Sequence, residues 1–141
     1  MSEEADKEQA INKVMSYMTS VQQKSQAFID HITNKEDTLS QNQIMLLFLL
    51  QLTGSLNITD ISERLIITPG AASFMCDKLE NLEYVERVRT KEDRRVVNII
   101  LTEQGRQRIL SLFDTFTVAE LDKMSSTLQT IDHLISGITQ P

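Results

Sequence analysis

Tryptophan is absent from this chain of 141 residues, cysteine occurs once and histidine only twice. The lone Cys76 excludes an internal disulfide. The acidic start, Met1-Ser2-Glu3-Glu4-Ala5-Asp6, carries no signal-peptide core, so the chain reads as cytoplasmic. No apolar run is long enough to cross a bilayer; Ile44–Leu52 is short and is broken by Gln51. His31 and His133 are too few and too far apart to suggest a zinc site, and read as ordinary surface or core residues. No Ser/His/Asp set, paired carboxylates or glycine-rich phosphate loop stands out. Neither catalysis nor a cofactor is expected. Internal repeats, low-complexity tracts and linkers are also missing, which leaves one domain over residues 1–141.

What is present is an uneven distribution of charge. The net charge is −6, which argues against a general nucleic-acid coat. All seven arginines nevertheless fall between Arg64 and Arg108. Residues 63–108 carry nine basic against eight acidic side chains, a balance of +1, and the remainder of the chain carries −7. Within that middle, Arg87, Arg89, Lys91, Arg94 and Arg95 surround the acidic pair Glu92-Asp93. The flanking segments Tyr84–Arg89 and Val96–Leu101 are rich in β-branched residues and predict two strands joined by a charged loop. Long basic side chains on a protruding ribbon suit the narrow, negative minor groove of DNA. The bland alternative is a solvated hairpin without a partner.

The rest of the pattern is helical. Ile11, Val14, Met15, Met18, Val21, Phe28, Ile29 and Ile32 recur at three- and four-residue steps, predicting an amphipathic helix over Ala10–Ile32. A polar break at Thr33–Leu39 precedes Ser40 and Gln43, a capping-box pair, and then a helix through Leu52 that is apolar nearly all round and belongs in a core. Asn57 with Asp60 caps a short helix carrying Ile58, Ile61 and Leu65. After a turn at Ile66-Ile67, Thr68 caps the next helix with Pro69 at its first position. That helix, Thr68–Asn81, turns Ala72, Met75, Cys76, Leu79 and Leu82 inward. Two short helices joined tightly make a helix-turn-helix pattern. Beyond the hairpin, Thr102 caps a helix reaching Phe116. Thr117 with Glu120 opens a final helix with Leu121, Met124, Leu128, Ile131, Leu134, Ile135 and Ile138 on one stripe.

This order, with the basic wing directly after the helix-turn-helix, resembles the MarR family of winged-helix regulators. The resemblance rests on Leu56-Asn57-Ile58-Thr59-Asp60-Ile61-Ser62-Glu63-Arg64-Leu65 and on Asp77-Lys78-Leu79-Glu80-Asn81-Leu82. Above all it rests on Asp93-Arg94-Arg95 followed by Leu101-Thr102-Glu103-Gln104-Gly105-Arg106, which match the family's Asp-x-Arg wing tip and Leu-Thr-x-x-Gly helix start. It implies a mainly α fold with a small β-hairpin wing. Residues 6–36 and 103–139 would form dimerisation helices around a winged helix-turn-helix lobe at 40–102. It further implies a cytoplasmic homodimer, more often a repressor, on a pseudo-palindromic site in double-stranded DNA. Thr68, Ser73 and Lys78 would make recognition-helix contacts in the major groove. Arg89, Lys91, Arg94 and Arg95 would serve the wing, Arg95 entering the minor groove with Asp93 holding its guanidinium. A small-molecule effector of unknown identity is also implied, with Met15, Met18, Met45 and Phe48 as candidate crevice residues; plain core packing is the favoured reading of these four.

The chain departs from the family pattern in three places. Gly70, Ala71, Ser73, Phe74 and Lys78 form the outer face of the recognition helix, where an arginine and several polar residues are usual. Direct base readout is therefore thin. Ala71 offers contact to a thymine methyl; Phe74 either does the same or packs under the wing, packing being favoured. Glu83 stands where a glycine is usual, so a left-handed backbone there would be strained, unless the turn is built differently. The segment Gly105–Thr117 is shorter than the usual penultimate helix, which bears on half-site spacing. Cys76, on the apolar stripe, reads as a buried inert thiol rather than a redox switch. The reading from another class is a winged-helix protein-interaction module with little or no DNA binding, suggested by the acidic total charge and the bland helix face.

Overall fold

The computed structural model describes residues 2–33 and 38–140. The middle of the expected polar break, Asn34 to Asp37, and the expected boundary at residue 36 lie outside the described residues. Helix α1 (Glu3–Ile32) starts earlier than Ala10 because Ser2 caps it, its hydroxyl accepting from the Ala5 N–H at 3.2 Å. Glu3, Glu4 and Asp6 in the first turn suit the positive end of the helix dipole. Helix α2 (Gln41–Thr53) opens with both halves of the capping box: the Gln43 N–H donates to Ser40 Oγ, and the Ser40 N–H to Gln43 Oε1. Gly54, at φ 89°, closes it.

The helix-turn-helix consists of α3 (Ile58–Leu65) and α4 (Pro69–Asn81), capped by Asn57 and Thr68. Strands β2 (Val85–Arg89) and β3 (Val97–Leu101) pair antiparallel, with Arg87 opposite Ile99. A third strand, β1 (Leu56–Asn57), was not expected from the sequence. It pairs with β3, so that β3 is central in the order β1-β3-β2. Two residues are too few to show an alternating pattern, and only pairing with β3, Leu56 opposite Ile99 and Asn57 opposite Asn98, makes this a strand.

Helix α5 (Glu103–Ser111) ends before the expected Phe116. Beyond Ser111 the N–H groups of Leu112, Phe113, Asp114 and Phe116 bond carbonyls only three residues back. This tightening sends the two rings to different helices. Phe113 meets Phe48 of α2 at 5.9 Å between centroids, and Phe116 meets His31 of α1 edge-on at 6.1 Å. Helix α6 (Val118–Thr139) follows a complete Thr117/Glu120 capping box.

Gly105 is required by contact. A Cβ there would sit 2.1 Å from the Tyr84 carbonyl oxygen. That carbonyl accepts from the Thr102 N–H, while the Thr102 hydroxyl donates to the Glu83 carbonyl and accepts from the Gly105 N–H. The Leu-Thr-x-x-Gly pattern is thus the joint that fixes α5 against the end of α4.

The core lies within the winged lobe. Every buried hydrophobic residue among those described falls between Ile44 and Leu112, centred on Leu46, Leu47, Ile61, Cys76, Leu79 and Ile99. Leu82, expected to face inward, is instead 42% exposed, just past the end of α4. Neither α1 nor α6 buries a single residue. Their apolar stripes, with Val14, Met18 and Val21 on one and Leu134, Ile135 and Ile138 on the other, stand open.

Candidate nucleic-acid interface

Three constructions place the candidate residues, beginning with the recognition helix. Thr68 caps α4 by accepting from the Ala71 N–H at 3.1 Å, which leaves its hydroxyl proton available to a partner. With Ala72, Met75, Cys76 and Leu79 buried, the 100° step of a helix turns Gly70, Phe74 and Asn81 to the opposite side. Phe74 does not pack under the wing: its side chain is 60% exposed, with Lys78 Nζ 4.7 Å from the ring centroid. The reason is rotational, since Phe74 sits nearly opposite the core stripe. Ser73 is half-buried, and its carbonyl faces Arg87.

The second construction is the wing tip. Thr90 Oγ1 donates to the Asp93 carbonyl and accepts from the Asp93 N–H, at 2.9 and 3.0 Å. Asp93 Oδ1 then accepts both the Arg95 N–H at 3.0 Å and Arg95 Nε at 3.2 Å. The Arg95 side chain is 92% exposed, so this pair contributes little stability. It restricts the guanidinium and reduces the entropy lost on binding. Arg89 donates to the Arg94 carbonyl at 2.5 Å, and Arg89, Thr90, Lys91 and Arg94 line a shallow cationic cup of about 560 Å3.

The third construction was missed from sequence. Arg87 was counted with the wing cations, yet it points back to α4. It pairs with Asp77 at 2.8 Å and Glu80 at 3.1 Å, and donates to the Ser73 carbonyl at 3.4 Å. Glu80 also accepts the Arg87 backbone N–H. Burial lowers the Arg87 pKa, but the hydrogen bond and charge of Asp77 outweigh it, with Glu80 adding to them, and the net shift is upward. Arg87 is therefore a clamp between wing and recognition helix. The available signal was the placement of Asp77 and Glu80 three apart on one helix face, level with β2.

Glu83 adopts φ 65° and ends α4 in a Schellman arrangement: the Tyr84 N–H bonds the Leu79 carbonyl and the Glu83 N–H bonds that of Glu80. Ile66 repeats the geometry at φ 56° in the turn between α3 and α4, where it is 90% exposed. Cys76 is fully buried, and burial pushes its thiol up to about 11.

Of the four crevice candidates, Phe48 lines a crevice of about 840 Å3 with Phe28, Phe113, Met124 and Leu128, between the terminal helices and the lobe. Met15 and Met18 lie instead on the exposed stripe of α1, and Met45, half-buried in α2, is not among the lining residues. Among the described residues, no group of His, Cys, Asp and Glu is arranged to hold a metal, and no helix is long and apolar enough to cross a membrane.

A sequence profile of the MarR family matches residues 39–97. The HTH-type transcriptional regulator SarZ of Staphylococcus aureus is 30% identical over 105 residues, covering 68% of this chain and 71% of SarZ. The HTH-type transcriptional repressor MdtR of Bacillus subtilis is 36% identical over 63 residues, 45% of this chain; the match spans only 41% of MdtR's length. Among solved structures, Streptococcus pneumoniae FabT in complex with DNA superposes with a TM-score of 0.64 at 20% identity, over 91% of this chain and 99% of FabT.

Proposed function

This chain belongs to the MarR family of transcriptional regulators, and on that premise we propose that it is a cytoplasmic homodimeric repressor that occupies promoter DNA. It is a regulator and not an enzyme. The observation that carries the reading is the wing tip, where Asp93 holds a fully projecting Arg95 beside the cationic cup of Arg89, Lys91 and Arg94. Arg95 enters the minor groove, where negative potential is focused, and the cup takes backbone phosphates. Helix α4 enters the major groove with Thr68, Ser73 and Lys78 on its reading side. Two protomers interlock through the apolar stripes of α1 and α6, which line a shared open groove on their own chain and bury no residue there. The crevice at Phe48, apolar and aromatic-lined, is the place for a small-molecule effector.

The test is selection of bound fragments from host genomic DNA by purified protein at near-physiological salt. Enrichment of one inverted-repeat motif is expected, its two halves reporting the separation of the two lobes. No enrichment by folded, dimeric protein would reject the reading and favour a winged-helix interaction module.

A further inference from the structure

Between its cap at Thr68 and its end at Lys78 and Asn81, the outer face of α4 has little with which to hydrogen-bond a base. Gly70 and Ala71 are small, and Asp77 and Glu80 are drawn to the wing side by Arg87. Among these short side chains the exposed Phe74 ring is the largest feature, and it stands nearly opposite the buried stripe. Its orientation is set: Lys78, one helical turn on, places its ammonium 4.7 Å from the ring centroid. One cation therefore serves two ends, restricting the ring and bringing positive charge beside it. In the major groove the apolar feature that distinguishes one base pair from another is the thymine methyl group.

Resting on the DNA-binding reading above, we infer that Phe74 is a specificity-determining residue whose ring takes a thymine methyl in each half-site. Lys78 positions the ring and faces the neighbouring phosphate. Specificity at that base step comes from apolar contact and shape, without a bidentate side chain.

The experiment uses the selected operator, resynthesised with each thymine in turn replaced by deoxyuridine, which removes the methyl and keeps the pairing edge. Wild-type protein should bind about fourfold more weakly per half-site at one thymine position, as expected for one buried methyl-sized group. Phe74→Ala should bind the thymine and uracil forms of that position equally, and Phe74→Leu should keep part of the preference. Because Phe74 is exposed, both variants should fold, and the uracil series on wild-type protein stands without them. Equal responses of wild type and Phe74→Ala at every thymine would overturn the assignment, since Ala71 or the wing would then be responsible. So would loss of self-association in Phe74→Ala, which would make the ring a protein contact. Specific binding with no methyl dependence rejects only this inference, whereas no specific binding at all rejects the regulator reading beneath it.

Discussion

Arg87 and Arg95 lie in the same basic cluster and should behave differently. Arg87→Met keeps the aliphatic stem and removes the guanidinium. The loss comprises the Asp77 pair at 2.8 Å, the Glu80 pair at 3.1 Å and a long bond to the Ser73 carbonyl. Arg87 is 28% exposed, but Asp77 and Glu80 are 58% and 43% exposed, so water screens the pairs and resolvates both carboxylates afterwards. No buried charge is orphaned. The cost is therefore about 1–2 kcal/mol, well short of breaking a buried pair. For a domain of this size that lowers Tm by about 3–8 °C, compared at equal protomer concentration because the proposed dimer would make Tm concentration-dependent.

The consequence for DNA follows from the same figure. If the clamp holds the wing at its working angle against α4, losing it lowers affinity by at most the five- to thirtyfold that about 1–2 kcal/mol represents. The dependence of binding on salt should not change, because Arg87 neutralises Asp77 and Glu80 and not a phosphate. Thermal denaturation and binding titrations at several salt concentrations measure both. A salt slope flattened by a full unit would place Arg87 on the DNA and refute the clamp; so would wild-type stability together with wild-type affinity.

Arg95→Ala should do the opposite, leaving Tm nearly unchanged while flattening the salt slope by about one to two units, since a dimer loses two copies each partly neutralised by Asp93; unchanged affinity and slope would remove the wing from the mechanism. Glu83→Gly should raise stability by about 1 kcal/mol in urea denaturation, because φ 65° is cheap only for glycine; no gain would mean that the Glu83 side chain compensates elsewhere. Cys76 should resist alkylation at neutral pH unless the protein is unfolded. With the folded thiol near 11, the unfolded chain loses its proton first, from about pH 9. Stability is therefore present below that pH and falls as pH rises towards 11, by up to about 1.4 kcal/mol per unit. A Cys76→Ala variant with the same alkaline slope would refute this.

Much of this was legible because local chemistry and tertiary structure agree. The caps at Ser40, Asn57, Thr68, Thr102 and Thr117 depend on side chains within three residues of the N–H groups they serve, and all five form. The Asp93–Arg95 anchor is equally local. What was hidden depends on distant partners. Strand β1 exists only through its pairing with β3, the two rings beyond α5 find their places only through Phe48 and His31, and the role of Arg87 appears only through α4. Phe74 was misread for a related reason. Aromatic residues usually bury, and only its angle to the buried stripe shows that this one faces out.

The acidic body limits how the protein can hold DNA. Removing Arg87 from the count leaves Lys78, Arg89, Lys91, Arg94 and Arg95 as the cations of the proposed reading surface. Ten in a dimer set a ceiling of about −9 on the logarithmic salt slope, reached only if every one replaces a counterion. Arg95, already partly neutralised by Asp93, and Lys78, stacked on Phe74, should keep the true value below that ceiling. The net charge of −6 per protomer repels the duplex everywhere else. Non-specific binding should therefore be weak at physiological salt, so that few base contacts would suffice for discrimination. A thin recognition helix is compatible with a selective regulator if the acidic body disfavours DNA that the wing cations do not hold.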